Sequence, residues 1–113
     1  MALSDEERQA LKEKYGDKTV VVENEHGTFV FSKPGKAAWS RCLNKLASDD
    51  RKLDRVSTMD QLARDCLVYP EVNGQPDRGK LTVMLEEYGA LSQTLFGELG
   101  DLIGAGPSHA GKL

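Results

Sequence analysis

The sequence predicts an α+β domain that is mostly α, on three observations. Two short runs rich in β-branched and aromatic residues, TVVVEN from Thr19 to Asn24 and TFVFSK from Thr28 to Lys33, flank a turn that carries Gly27. After Pro34, apolar residues recur at three- and four-residue steps in four successive stretches. The strands come together and most of the helices follow, without the strand-helix alternation that builds a parallel sheet. The 113 residues are enough for one core and too few for two. The expected organisation is an N-terminal helix, one β-hairpin and then a bundle of about four helices, all within a single domain spanning residues 1–103. The tail from Gly104 to Leu113 is expected to be disordered because it has little apolar surface to bury.

Each element has its own signal. Ser4 followed three residues later by Glu7 matches a capping box, and the helix it opens, from Asp5 to Tyr15, meets a natural terminator at Gly16. Its apolar residues are few, which puts it on the domain surface or against a neighbour. Two strands around the Glu25-His26-Gly27 turn read as a hairpin, with Phe29 and Phe31 on one face. Such a hairpin is marginal alone and has two open edges, so it must pack on helices or pair elsewhere.

Pro34 and Gly35 close the hairpin, and Trp39, Leu43 and Leu46 then outline a second helix from Lys36 to Ala47. The charged run from Ser48 to Arg55 reads as a loop. Ser57 or Thr58 is the expected cap of a third helix, whose Met59, Leu62, Ala63, Cys66 and Leu67 face inward and which Pro70 stops near Val68. Residues 71–79, with an Asn-Gly pair and no apolar period, read as loop. Leu81, Met84, Leu85 and Tyr88 define a fourth helix that Gly89 ends. Leu91, Leu95, Phe96, Leu99, Leu102 and Ile103 define a fifth, weakened by Gly97 and Gly100.

Composition narrows the function classes. Fifteen basic residues are dispersed among eighteen acidic ones for a formal charge of −3, with none of the concentrated cationic surface that nucleic acid demands. No apolar run approaches the roughly 20 residues of a membrane span, and the N-terminus MALSDEER is acidic where a secretory signal would be basic. A cytoplasmic protein is expected. Cys42 and Cys66 fall on apolar helical faces, as buried thiols in a reducing compartment do, and hydrophobic neighbours would keep Cys66 inert. Neither His26 nor His109 has a Cys, Asp or Glu at ligand spacing in a rigid element, so neither a metal nor a cofactor is expected. The pairs Glu6-Glu7 and Glu86-Glu87 read as solvated helix faces. Nothing points to catalysis.

Three strings carry a resemblance across roughly residues 28–103. They are FVFSKPGKAAWSRCL from Phe29 to Leu43, LARDCLVYPE from Leu62 to Glu71, and LEEYGALSQTLFGELGDLIG from Leu85 to Gly104. In these the chain resembles the small tail assembly chaperones of long-tailed bacteriophages, short helical or α+β proteins that keep the tape-measure protein soluble while the tail is built. Relatives carry a Glu-Tyr-Pro-Gly-Leu-like turn between the last two helices; here Tyr88-Gly89-Ala90-Leu91 lacks the proline but keeps the break. The resemblance implies a non-enzymatic protein of the infected bacterial cytoplasm whose main partner is the tape-measure protein, with tail-tube subunits as further contacts. It also implies that a longer, frameshifted product can accompany the short one.

A long helical client must have its apolar stripes shielded, and a helix-in-groove mode does this. The candidate groove residues are Trp39 and Leu43 on the second helix and Leu91, Leu95, Leu99 and Leu102 on the last. The same residues have a second reading, as the domain's own core. Strand addition to a client or to another copy of the chain is the other route, with Val20, Val22, Phe29 and Phe31 beside the boundary. That route favours a homo-oligomer, a structural subunit retained in the particle, or a small self-associating adaptor.

Overall fold

The structure, a computed structural model, describes residues 3–16, 18–47 and 54–104. It is α+β and mostly α, as the sequence predicts, with five helices among the described residues.

Helix α1 (Asp5–Tyr15) begins with the expected capping box. The Ser4 hydroxyl accepts from the Glu7 N–H, and the Glu7 carboxylate accepts from the Ser4 N–H, both at 3.1 Å. Strands β1 (Thr19–Asn24) and β2 (Gly27–Ser32) pair antiparallel, Val20 opposite Phe31 and Val22 opposite Phe29. Their closing turn is held by Asn24, whose side-chain oxygen accepts from the His26 N–H at 2.8 Å. Helix α2 (Lys36–Leu46) follows directly after Pro34 and Gly35.

Helix α3 spans Arg55–Cys66 and departs from expectation at both ends. Its cap is Asp54, one turn before the predicted Ser57 or Thr58. The Asp54 carboxylate accepts from the Ser57 N–H and hydroxyl, at 3.1 and 3.0 Å. Thr58 is inside the helix, its hydroxyl donating to the Asp54 carbonyl at 3.0 Å. At the other end the chain leaves the helix at Leu67 and forms strand β3 (Leu67–Tyr69), antiparallel to β2. The reason is local: Val68 and Tyr69 favour extended backbone, and Pro70 excludes α geometry at Tyr69.

Residues 71–79, expected to be loop, contain a miniature hairpin. Strands β4 (Glu71–Val72) and β5 (Gln75–Pro76) pair across Asn73 and Gly74, both at positive φ, 54° and 78°. Asn-Gly is the pair that such a turn selects. Helix α4 (Arg78–Glu87) starts earlier than its apolar residues suggest, capped by the Asp77 carboxylate accepting from the Lys80 N–H at 3.1 Å. Helix α5 (Leu91–Ile103) runs unbroken through Gly97 and Gly100 to a cap at Gly104. Most of the predicted charged loop, residues 48–53, and the tail beyond Gly104 lie outside the described residues.

The sheet order is β1-β2-β3, so both edges of β2 are occupied and the expected two-stranded hairpin with two free edges is corrected. One sheet face, with Val20, Phe29, Phe31 and Leu67, packs on Cys42 of α2, Leu62, Ala63 and Cys66 of α3, Leu81, Met84 and Leu85 of α4, and Leu95 and Leu99 of α5. The opposite face buries Val30 with Leu3, at the foot of α1. Helix α1 itself contributes no buried residue. Its Arg8, Leu11 and Lys12 line an open pocket together with Thr19, Val21 and Val30 of the sheet, a surface position that agrees with its sparse apolar residues.

Candidate partner-binding groove

Helices α2 and α5 meet at an aromatic stack. Trp39, one turn into α2, lies nearly parallel to Phe96 of α5, with ring centroids 5.0 Å apart and planes at 17°. The far edge of the indole reaches Gly100. A Cβ on Gly100 would stand 2.8 Å from Cη2 of Trp39, inside any real carbon contact. The ring rests on bare helix backbone, and only glycine allows that approach. Both Trp39 and Phe96 pack against the core while remaining partly exposed.

Beyond the indole the surface opens into a groove of about 600 Å³ between the start of α2 and the end of α5, with Pro34, Trp39, Ser40 and Ile103 among its walls. Among the described residues its only charged lining side chains are Lys33 and Lys36. Both are exposed, and neither forms a salt bridge among the described residues. Helix α2 has no acidic residue in its first turn, and its cap, Gly35, supplies no side-chain acceptor. This end of the groove is therefore cationic, in a chain whose net charge is −3. It can hold an apolar side chain against the indole with a carboxylate near the lysines.

The predicted groove residues divide. Trp39 is at the site. Leu43, on the next turn of α2, is 41% exposed. Leu91 and Leu102 are half-buried against the core. Leu95 and Leu99 are each 1% exposed and belong to the core, so the expectation that they meet a partner is corrected. They lie on the α5 face turned towards α3, where the buried Ser92 hydroxyl also donates to the Asp60 carboxylate. Phe29 and Phe31 are fully buried and Val20 nearly so, which removes them as strand-edge contacts; Val22 is half-buried on the same face.

Among the described residues no strand pairs with the outer edge of β1. The Lys33 N–H donates to the Lys18 carbonyl at 3.1 Å. Counting by twos from that pair, Val20, Val22 and Asn24 turn their backbone groups towards β2, while Thr19, Val21 and Glu23 turn theirs outward. Val21 is also 44% exposed.

Sequence reading passed over Lys33, Lys36, Ser40 and the contact role of Gly100. The available signal was modest: Phe96 and Gly100 stand one helical turn apart, so an aromatic and a bare backbone patch share a face. A second grouping also escaped it. The ligand atoms of Glu25, His26 and Glu87 lie within 4.8 Å of one another, and the His26 imidazole hydrogen-bonds the Glu87 carboxylate while packing edge-on against Tyr88. Glu87 is distant in sequence, beyond the reach of spacing rules. Both carboxylates are solvent-exposed, and the histidine pair ties the hairpin turn to α4.

The cysteines match expectation. Both are buried, and desolvation pushes the Cys66 thiol up to about 12 and raises that of Cys42 as well. Among the described residues no helix is long and apolar enough to cross a membrane.

No protein-family model matches the sequence, and no curated protein does. Among solved structures, the chain is similar to an uncharacterised protein from Bacillus stearothermophilus, at 25% identity and a TM-score of 0.63. The match covers 93% of this chain and 99% of that one, so the likeness extends over the whole arrangement of hairpin and helices.

Proposed function

We propose that this protein is a non-enzymatic chaperone of phage tail assembly, acting in the infected bacterial cytoplasm, that shields apolar helical stripes of the tape-measure protein. The reading starts from the resemblance of three sequence segments to that family. One structural observation supports it most: a groove of about 600 Å³ beside a partly exposed tryptophan that is held in place by Phe96 and Gly100. A rigid aromatic anchor beside an open furrow is the common anatomy of a helix-binding surface. The groove residues in this reading are Trp39, Ser40 and Ile103, with Leu43 extending the surface along α2.

Co-expression with the tape-measure protein tests it. The native chain should keep that client soluble. Ser40→Tyr places a ring in the mouth of the groove at an exposed helix position and should abolish solubilisation while the chain stays folded. Equal solubilisation by native and variant chains would remove the groove from the proposal.

A second reading, a self-associating structural subunit, is favoured by the outward backbone of Thr19, Val21 and Glu23 on β1. It predicts concentration-dependent oligomers that Val21→Pro dissolves, because proline removes an outward donor from the pairing edge.

A further inference from the structure

Resting on the groove reading above, we infer that the segment the groove selects is an acidic amphipathic helix, whose apolar side chain sits against Trp39 and whose carboxylates face Lys33 and Lys36. Charge complementarity carries this. Among the described residues Lys33 and Lys36 are the only charged side chains lining the groove, they stand three positions apart where the chain enters α2, and no salt bridge among the described residues engages them. The N-terminus of α2 adds to the same field, with no acidic side chain in its first turn. Asp101, on the exposed side of α5 next to the groove, does not line it. A basic helix would meet two lysines and a helix N-terminus, all of like sign, and would be rejected.

Trp39 is the chain's only tryptophan, so its emission reports occupancy of the groove directly. The probes are two synthetic helices of about 18 residues, long enough to present a continuous apolar face. They share one leucine stripe and differ only in carrying glutamates or lysines beside it. In about 0.01 M salt the glutamate peptide should shift Trp39 emission with a dissociation constant about tenfold below that of the lysine peptide. The difference should vanish in about 1 M salt, where charges are screened beyond about 3 Å. Lys33→Glu/Lys36→Glu, two exposed substitutions outside the core, should reverse the order of the peptides.

Equal binding of both peptides, with the double variant indifferent to their charge, would overturn the acidic preference and leave the groove reading standing. Failure of both peptides to shift Trp39 would overturn the groove reading, and the preference with it. An emission change that follows protein concentration alone would show a second copy of the chain in the groove and would equally overturn the inference.

Discussion

The two mid-helix glycines of α5 make a matched pair. Gly97→Ala and Gly100→Ala add the same methyl group to the same helix, three residues apart. In either position alanine gains up to about 1 kcal/mol of helix propensity. At Gly97 nothing lies within 4 Å of the new Cβ, so that gain should appear in full. At Gly100 the methyl would stand 2.8 Å from Cη2 and 3.3 Å from Cζ2 of Trp39, whose ring also stacks on Phe96, one turn earlier on the same helix. Forcing the indole out of that seat costs about 1–3 kcal/mol, the usual range for overpacking. Gly97→Ala should therefore stabilise the protein by about 1 kcal/mol, raising Tm by roughly 4 °C for a chain of this size. Gly100→Ala should be neutral or destabilising by up to about 2 kcal/mol once both effects are counted. Urea titration followed by circular dichroism gives the two values, and Trp39 emission reports whether the ring has moved. If both variants gained equal stability with unchanged emission, the indole would not be seated on Gly100, and the account of how the groove is built would fail.

Three further outcomes follow from the same geometry. Leu95→Asp places a carboxylate in a site 1% exposed and should cost several kcal/mol, most of a total near 5–15 kcal/mol, whereas Leu43→Asp, at 41% exposure, should change stability by less than about 0.5 kcal/mol; equal urea midpoints for the two would contradict the core assignment. Cys42 and Cys66 should resist a disulfide reagent at pH 8 until denaturant is added; and because folding raises the Cys66 thiol from its ordinary 9.0 to about 12, its contribution to stability should be complete below pH 9 and lost as pH rises towards 12, a decline that Cys66→Ala should flatten in urea midpoints across that range. The Asp54 carboxyl is held below its ordinary value first by the Ser57 N–H and then by the Ser57 hydroxyl, so the cap's contribution should be present above about pH 4 and lost as pH falls through the depressed folded value; Asp54→Ala should lower Tm at pH 7, and its deficit against the native chain should shrink in acid.

What could be read from the sequence was what short spacing determines. The Ser4–Glu7 capping box, the existence of the hairpin and the starts of α2 and α5 all follow from residues close together in the chain, although the turn is the pair Glu25-His26 and Gly27, expected in the turn, opens β2 opposite Asn24. The misses involve partners far along the chain or a competition between neighbours. Strand β3 exists because β2 offers an edge 36 to 39 residues upstream, from Phe31 opposite Leu67 to Val30 opposite Tyr69, a pairing with no local signature. Asp54 hides as a cap inside a charged run, and Ser57 and Thr58 looked better only because they stand nearer the apolar stripe. Asn73-Gly74 carried its hairpin signal openly, but strands of two residues are too short to show alternation. For the leucines of α5 periodicity identified a buried stripe correctly and was silent on what buries it. Leu95 and Leu99 satisfy α3 and the sheet, while the half-buried face that carries Phe96, Gly100 and Ile103 turns to Trp39 and the groove.

That division explains why α5 tolerates residues that weaken it. A helix whose only task was to fill the core would gain from alanine at both Gly97 and Gly100, and at Gly97 the structure gives no packing reason against it. At Gly100 the reason is Trp39. A methyl group there would push the indole outward, trading a flat aromatic wall for an unsupported side chain and narrowing the furrow between Pro34 and Ile103. The local loss in helix propensity is thus tied to a surface feature rather than to the core, which is expected where a binding surface, and not stability alone, sets the residue. Phe96 fits the same logic from the opposite side. It remains partly exposed although a fully buried position would stabilise the fold more, and its stacking fixes the plane in which Trp39 meets whatever enters.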